Sequence, residues 1–235
     1  EVYGFYSDKP IPENTVFVID PTTIRLWGTY YGGTGWESNG ISSSDRDGNV
    51  YLGGTTNSLT NIATSGSFQD TLAGNYDCLL VKLNANGIRQ WSTYYGGPDF
   101  DEISSCLVNT GGNILFSGDT KSTSGIATPG THQAIFGGGN LDAFFAKFNK
   151  DGERLWGSYY GGENHDGNGY LNLDKDGNIY LAGNTDSDTD ISTPGTYQQY
   201  RNDSTDAFLA KFDSNGVRQW GTYYGGESLD YGSQC

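Results

Sequence analysis

A seven-residue segment, WGTYYGG at 27–33, returns as WSTYYGG at 91–97, WGSYYGG at 156–162 and WGTYYGG at 220–226, in steps of 64, 65 and 64 residues. A fixed period of this size means that one supersecondary unit, unable to bury its apolar face alone, is stacked against copies of itself. The repeat therefore constrains the architecture strongly and the chemistry weakly.

The third copy shows the content of one unit. LDAFFAKF at 141–148 alternates apolar with small or polar residues, and the NKDG turn at 149–152 leads into ERLWGSYYGG, a second β-rich run. A short polar loop, ENHDG, follows; NGYLNLD and, after a DKDGN turn, IYLAGNT supply two more strands. The pattern predicts an all-β fold of four-stranded antiparallel meanders with the character of β-propeller blades, each of roughly 45 residues plus a loop of about 20. Blades are expected near 16–55, 77–119 and 142–184, with an incomplete one at 206–235, so about 3.5 blades of a larger propeller. Residues 1–13 read as a linker or the tail of an upstream domain, and 14–235 as the repeats. The chain has no methionine and stops inside its fourth copy, so the expectation is a processed or excised piece of a longer polypeptide. An open array of this kind would expose a blade edge and an apolar flank.

The extra length always falls in one connection, at 56–76, 121–140 and 186–205. In an antiparallel meander alternate connections emerge on the same side, which puts these long loops on one face with the loops that follow the GG pair. The NANG, NKDG and DSNG turns and the DRDGN and DKDGN turns take the other. Function concentrates on elaborated loops, so the long-loop face is where a ligand is expected.

Composition fits a folded protein: 34% of the residues are hydrophobic and 14% aromatic, and the 36 glycines recur at fixed places as punctuation between strands. The formal charge of −15 argues against a nucleic-acid backbone or an anionic membrane surface as partner; acidity also simply keeps a Gly- and Tyr-rich surface soluble. No stretch is long and apolar enough for a membrane span, and no basic-then-apolar signal opens the chain. Cys78 occupies the place of Ala143 and Ala207 in sister repeats, reading as a small buried residue, while Cys106 and Cys235 are equivalent to each other. A Cys78–Cys106 disulfide is left open, and nothing resembles a zinc site.

The runs DAFFAKFN, RLWGSYYGG, DKDGNIYLAGNT and STPGTYQ resemble the SBBP β-propeller repeat, found mainly in large secreted or surface-attached bacterial proteins, many from Bacteroidota. The resemblance covers nearly all of the chain from about residue 14, with VFVIDP in the part of a first strand. It implies a propeller fold and an extracellular or cell-surface address, often reached through type IX secretion. It implies no reaction and carries no catalytic residue.

Trp27, Trp91, Trp156 and Trp220 recur in every copy, which suits packing of one unit on the next better than a sugar-stacking platform. The acidic slot after the GG pair, Glu37, Asp101, Asp166 and Asp230, follows a variable residue, with Trp36, Phe100 and His165 before the first three. These are the ligand-binding candidates, and capping of nearby amides is the competing role for the acids. The DRDGN and DKDGN turns share alternating oxygens with a calcium loop but lack its distal Glu, and a tight turn accounts for them. No metal or cofactor is expected, calcium being the one left open. His132 and His165 break the repeat without an accompanying nucleophile, and read as exposed loop residues.

The expected function is a non-enzymatic scaffold or binding module that contacts glycan or cell-surface protein, with outer-membrane secretion machinery as a further partner. The alternatives are a polysaccharide-acting hydrolase or lyase, using His165 and Asp166, and a structural spacer or type IX cargo.

Overall fold

The computed structural model describes residues 25–232 apart from 203; the proposed linker at 1–13, the VFVIDP strand and Cys235 lie outside the described residues. Among the described residues there are twelve strands and no helix: Glu37–Ser44 (β1), Val50–Thr56 (β2), Asp77–Leu83 (β3), Arg89–Tyr95 (β4), Asp101–Val108 (β5), Ile114–Thr120 (β6), Asp142–Phe148 (β7), Arg154–Tyr160 (β8), Asp166–Leu173 (β9), Ile179–Thr185 (β10), Asp206–Phe212 (β11) and Arg218–Tyr224 (β12). They form three four-stranded antiparallel sheets, β1-β2-β3-β4, β5-β6-β7-β8 and β9-β10-β11-β12.

This strand order corrects the expected boundaries. Residues 77–119 and 142–184 are not single meanders; each is divided between two sheets, and the described strands within 16–55 and 206–235, β1-β2 and β11-β12, are each half of a sheet. The long loop lies inside a sheet, joining its second and third strands, and the jump to the next sheet occurs at the GG pair. Val50↔Leu83 through Thr56↔Asp77 pair without a break across the long loop at 57–76. The WGTYYGG strand is accordingly the fourth and outermost strand, not the second.

Strands β1, β5 and β9, which follow each GG pair, meet at the centre: β1 packs on β5, and β5 on β9. The sheets face one another around this line. One core lies between sheets one and two, with Tyr51, Cys78 and Leu80 against Phe116, Phe144 and Phe148. A second lies between sheets two and three, with Leu115, Phe145 and Tyr160 against Leu181, Phe208 and Phe212. The alternation in DAFFAKF now has a physical cause: Phe144, Ala146 and Phe148 point to one neighbour, Ala143 and Phe145 to the other, and a strand covered on both faces is apolar on both.

At the periphery Trp91 and Trp156 reach from one sheet to the next, and Trp27 ties the strandless segment before β1 to sheet one. Trp27 Nε1 donates to Ala85 O at 2.9 Å and Trp91 Nε1 to Lys150 O at 3.0 Å. A Cβ added at the turn glycines Gly87 or Gly152 would come within 2.8 Å of the same indoles. Tyrosine hydroxyls form a parallel set: Tyr95 donates to Ile126 O and Tyr160 to Ile191 O, both at 2.7 Å, and Tyr31 to Ile62 O.

Cys78 and Cys106 are buried free thiols in the first core. Burial pushes the Cys106 thiol up to about 12 and the Cys78 thiol well above its ordinary value. Because the thiolate is the reactive form, the native protein is expected to leave both unmodified by a thiol reagent over hours, with full labelling only after unfolding; rapid native labelling at either position would refute the packing.

Candidate functional site

The acidic slot is part of the frame. Asp101, fully buried at the start of β5, accepts hydrogen bonds from Gly97 N at 2.7 Å, Ser122 Oγ at 2.9 Å and the Thr120 hydroxyl. Asp166 repeats this with Gly162 N at 2.7 Å, Ser187 Oγ at 2.8 Å and Thr185, and Glu37 with Gly33 N, Thr56 and Ser58. Asp230 accepts from Gly226 N at 2.7 Å. Glu37, Asp101 and Asp166 thus clamp the glycine linker onto the Thr-x-Ser that ends the neighbouring strand, while Asp230 holds the linker glycine. Burial takes Asp101 and Asp166 out of reach of a ligand, correcting their place among the binding candidates; Glu37 is spent on the same clamp.

A second carboxylate that the sequence reading missed opens the third strand of each sheet. Asp77 accepts from Gln69 Nε2 at 2.6 Å, Ala73 N at 2.8 Å and Gly74 N at 3.1 Å. Asp206 accepts from Gln198 Nε2 at 2.8 Å and Asn202 N at 3.1 Å, and Asp142 from Gly137 N at 2.6 Å. The other oxygens of Asp142 and Asp206, both Oδ1, are buried without a hydrogen-bond partner. The first glycine of the GG pair separates the two acids: a Cβ at Gly161 would stand 2.5 Å from Asp142 Oδ1 and 2.9 Å from Asp166 Oδ2. Burial, reinforced by the facing acid, pushes Asp142 up to about 8 and Asp101 up to about 7; burial pushes Asp166 up to about 6 against its three donors.

The variable residues before the acids fare differently. Trp36 is 54% exposed on the long-loop face. Its ring meets Tyr76 edge-on at 5.8 Å, and Tyr76 meets Phe100 at 5.8 Å. Trp36 and Phe100, 64 positions apart, are therefore joined into one aromatic row through Tyr76. Backbone bonds fix it: Trp36 N donates to Asn57 Oδ1 at 2.7 Å, Asn57 N to Trp36 O at 3.1 Å, and Asp101 N to Tyr76 O at 2.8 Å. The same bonds place the GG loops beside the long loops, as the alternation of connections requires. His165 occupies the equivalent slot in the next repeat, where its carbonyl accepts from Asp186 N at 2.8 Å. His132 is not the exposed residue expected. It is half-buried between Tyr160 and Phe212, ring centroids 5.7 and 5.5 Å away, and burial, with Arg218 nearby, lowers it to about 4.

A polar cleft of about 300 Å³ lies where the inner strands meet, lined among others by Glu102, Ser104, Asp119, Asn168 and Tyr170. Asp119 Oδ1 accepts from Gly169 N at 3.3 Å, and burial, with Glu102 nearby, pushes Asp119 up to about 7. Asn168 holds a left-handed backbone, φ 55°, beside a register shift in the β9–β10 pairing, and its Nδ2 donates to Asn184 Oδ1 at 2.7 Å. Asp119 stands where sister repeats have Thr55 and Asn184, so this cleft varies from copy to copy.

In the turns once compared with calcium loops, the oxygens are engaged by the chain itself: Asp45 Oδ1 accepts from Asp47 N at 3.0 Å and Asn49 N at 2.9 Å. Among the described residues no three His, Cys, Asp or Glu side chains are grouped to hold a metal ion, and no helix is long and apolar enough to cross a membrane. No protein-family model matches the chain, and neither does any curated protein.

Proposed function

We propose that the chain is a non-enzymatic binding and scaffold module: its three four-stranded sheets are blades of a larger propeller built from SBBP-type repeats, in a secreted or surface-attached bacterial protein. Its ligand on this reading is a glycan, or a glycan-bearing surface protein, held on the long-loop face. The observation that supports it is the aromatic row Trp36–Tyr76–Phe100, in which Trp36 is exposed and Tyr76 and Phe100 are half-buried. An aromatic ring offers the apolar face that the C–H side of a pyranose needs, and rings fixed by backbone bonds lose little freedom on binding. The recurrent acids support the frame rather than a reaction.

Thermal melting of the intact protein across a panel of neutral and acidic oligosaccharides is expected to give an upward shift with at least one class. Trp36→Ala is expected to weaken that binding about tenfold, or about 1.4 kcal/mol, while leaving the unliganded melt unchanged. A uniformly flat panel, or binding indifferent to Trp36, would count decisively against the proposal.

The central cleft favours a second reading, a polysaccharide hydrolase or lyase. An acid raised to about 7 beside another carboxylate, Asp119 beside Glu102, is the kind of group that protonates a leaving oxygen. Hydrolysis or eliminative cleavage lost in Asp119→Asn would favour it; the absence of cleavage across the same panel would remove it.

A further inference from the structure

The period of the repeat also identifies side chains that the frame does not require. At the rim between sheets one and two lies a cleft of about 550 Å³, and both of its walls belong to complete sheets. One wall is the tip of the long loop, residues 64–68, turned back along β4 by Thr64 N donating to Ser92 O at 2.9 Å and Ser67 N to Thr64 O at 3.1 Å. The other is the turn between β7 and β8, residues 151–154. Trp91 lies between them and pairs with Lys82, about 17 Å along β3 from Asp77, where the Trp36–Tyr76–Phe100 row stands. The cleft is therefore at the opposite end of the sheet from that row.

Trp91, Gly152 and Arg154 recur at the next joint as Trp156, Gly216 and Arg218, so these three are frame. Four others are not: Ser65, Gln90, Asp151 and Glu153 stand where the next joint has Pro129, Leu155, Asn215 and Val217. All four line the cleft and all four are exposed. Two loops and two sheets thus bring a hydroxyl, an amide and two carboxylates to one place, at positions where the same fold is built equally well with Pro, Leu, Asn and Val. Two of the groups are held in position, Gln90 by its Nε2 donating to Ile88 O at 3.0 Å and Glu153 by Asn149 Nδ2 at 2.7 Å.

We infer that this cleft binds a neutral di- or trisaccharide. Its volume lies in the range that small ligands fill. Carboxylates accept from sugar hydroxyls, an amide both donates and accepts, and a serine does the same. The apolar base that a sugar C–H face needs comes from the half-buried Trp91 and from Phe68, 37% exposed. Arg154 is fixed over the Phe68 ring, 4.4 Å from its centroid, by donating to Gly125 O and Ile126 O at 3.1 and 3.2 Å. Asp151 and Glu153 repel an acidic saccharide, and Arg154 in the same wall repels a lysine-rich peptide. The site shares a ligand class with the Trp36 row but no residue, so the two stand or fall separately.

Titration of the 235-residue chain with neutral oligosaccharides, followed by the indole N–H signals of Trp36 and Trp91 in nitrogen–proton NMR spectra, tests this. The Trp91 signal is expected to move with at least one of them, and to move equally in Trp36→Ala. The double variant Gln90→Leu, Glu153→Val installs residues that the next joint already carries; it is expected to melt like the parent and to bind at least tenfold more weakly at Trp91. Asp151→Asn, likewise a residue of the next joint, changes no volume and is expected to weaken the same response severalfold. Movement of the Trp36 signal alone would overturn the cleft while sparing the long-loop row. A Trp91 signal that stays still with every neutral sugar, that moves only with an acidic saccharide or a lysine-rich peptide, or that moves as much in the variants as in the parent would also overturn it.

Discussion

Raising the pH from about 4 to about 8 is expected to destabilise the folded protein by about 3 kcal/mol or more, lowering its melting temperature by about 6–12 °C. The sign follows from the buried acids. Asp101, Asp119, Asp142 and Asp166 are held at about 7, 7, 8 and 6, above the ordinary carboxyl value of 3.8. Over that window the folded chain binds protons that the unfolded chain has released, so stability is full below the unfolded value and is lost as the pH rises through the folded ones. One unit is worth about 1.4 kcal/mol per group; the facing acids share protons, which keeps the total well below the sum of four independent shifts. Urea unfolding at constant ionic strength across this range gives the slope directly, and a flat or rising profile would show the acids to be ionised as folded.

Two substitutions separate the facing acids. Asp142→Asn is expected to raise stability at pH 8 by about 1–2 kcal/mol and to remove part of the slope. Its carbonyl oxygen still accepts from Gly137 N, and its amide takes the place of the partnerless Oδ1, directed at the gap it shares with Asp166. Asp101→Asn is expected to do the opposite. Both oxygens of Asp101 already accept, and an amide group in place of either gives up charge-assisted bonds: opposite Gly97 N it meets another donor, and opposite Ser122 or Thr120 the hydroxyl must turn from donor to acceptor. If both variants moved stability in the same direction at pH 8, the two acids would not be playing different parts.

Much of the fold could be read from the repeat, but not the point at which one sheet ends. A pattern with a fixed period looks the same wherever it is cut. The β-rich runs, and the NANG, NKDG and DSNG turns with glycines at φ 76°, 86° and 80°, define those hairpins from local chemistry alone. Whether each hairpin joins the strand pair before or after it depends on tertiary contacts, and there the two-sided burial of β7 carries no directional signal. The signal lay elsewhere, in two small motifs that recur with the period: Thr-x-Ser at 56–58, 120–122 and 185–187, and Gln69, Gln133 and Gln198 in the long loops. Side-chain hydroxyls and amides repeated at loop ends mark bonds the frame must satisfy, and with them the acids after the GG pair read as clamps. Trp36 and Phe100 were legible because they vary where the frame does not. Tyr76 was not, since it lies in a loop whose path decides its neighbours, and Asp119 differs from its sisters by one unannounced substitution.

Gly97→Ala and Gly162→Ala are each expected to cost at least about 4 kcal/mol, enough to prevent accumulation of folded protein under ordinary conditions. Neither position has a left-handed backbone, so the reason is space. A Cβ at Gly97 would stand 2.0 Å from Ser124 O and 2.6 Å from Ser122 Cβ, and one at Gly162 2.4 Å from Thr189 O and 2.7 Å from Ser187 Cβ. Gly33 repeats the arrangement at 2.3 Å from Thr60 O and 2.5 Å from Ser58 Cβ. These neighbours are backbone carbonyls of the long loop and the serine of the clamp, and to yield they would have to give up Asp101 or Asp166 as well. Steric overlap and an unsatisfied buried carboxyl would therefore arrive together. Two other glycines calibrate the result. Gly40→Ala, with nothing within 4 Å, is expected to stay within about 0.5 kcal/mol of the parent, and Gly130→Ala, open but at φ 85°, to cost about 1–2 kcal/mol. Denaturant titration of the four variants should reproduce that ranking. If Gly97→Ala behaved like Gly40→Ala, the linker would not be pressed against the loop, and the GG pair would owe its place in all four copies to something other than the jump from sheet to sheet.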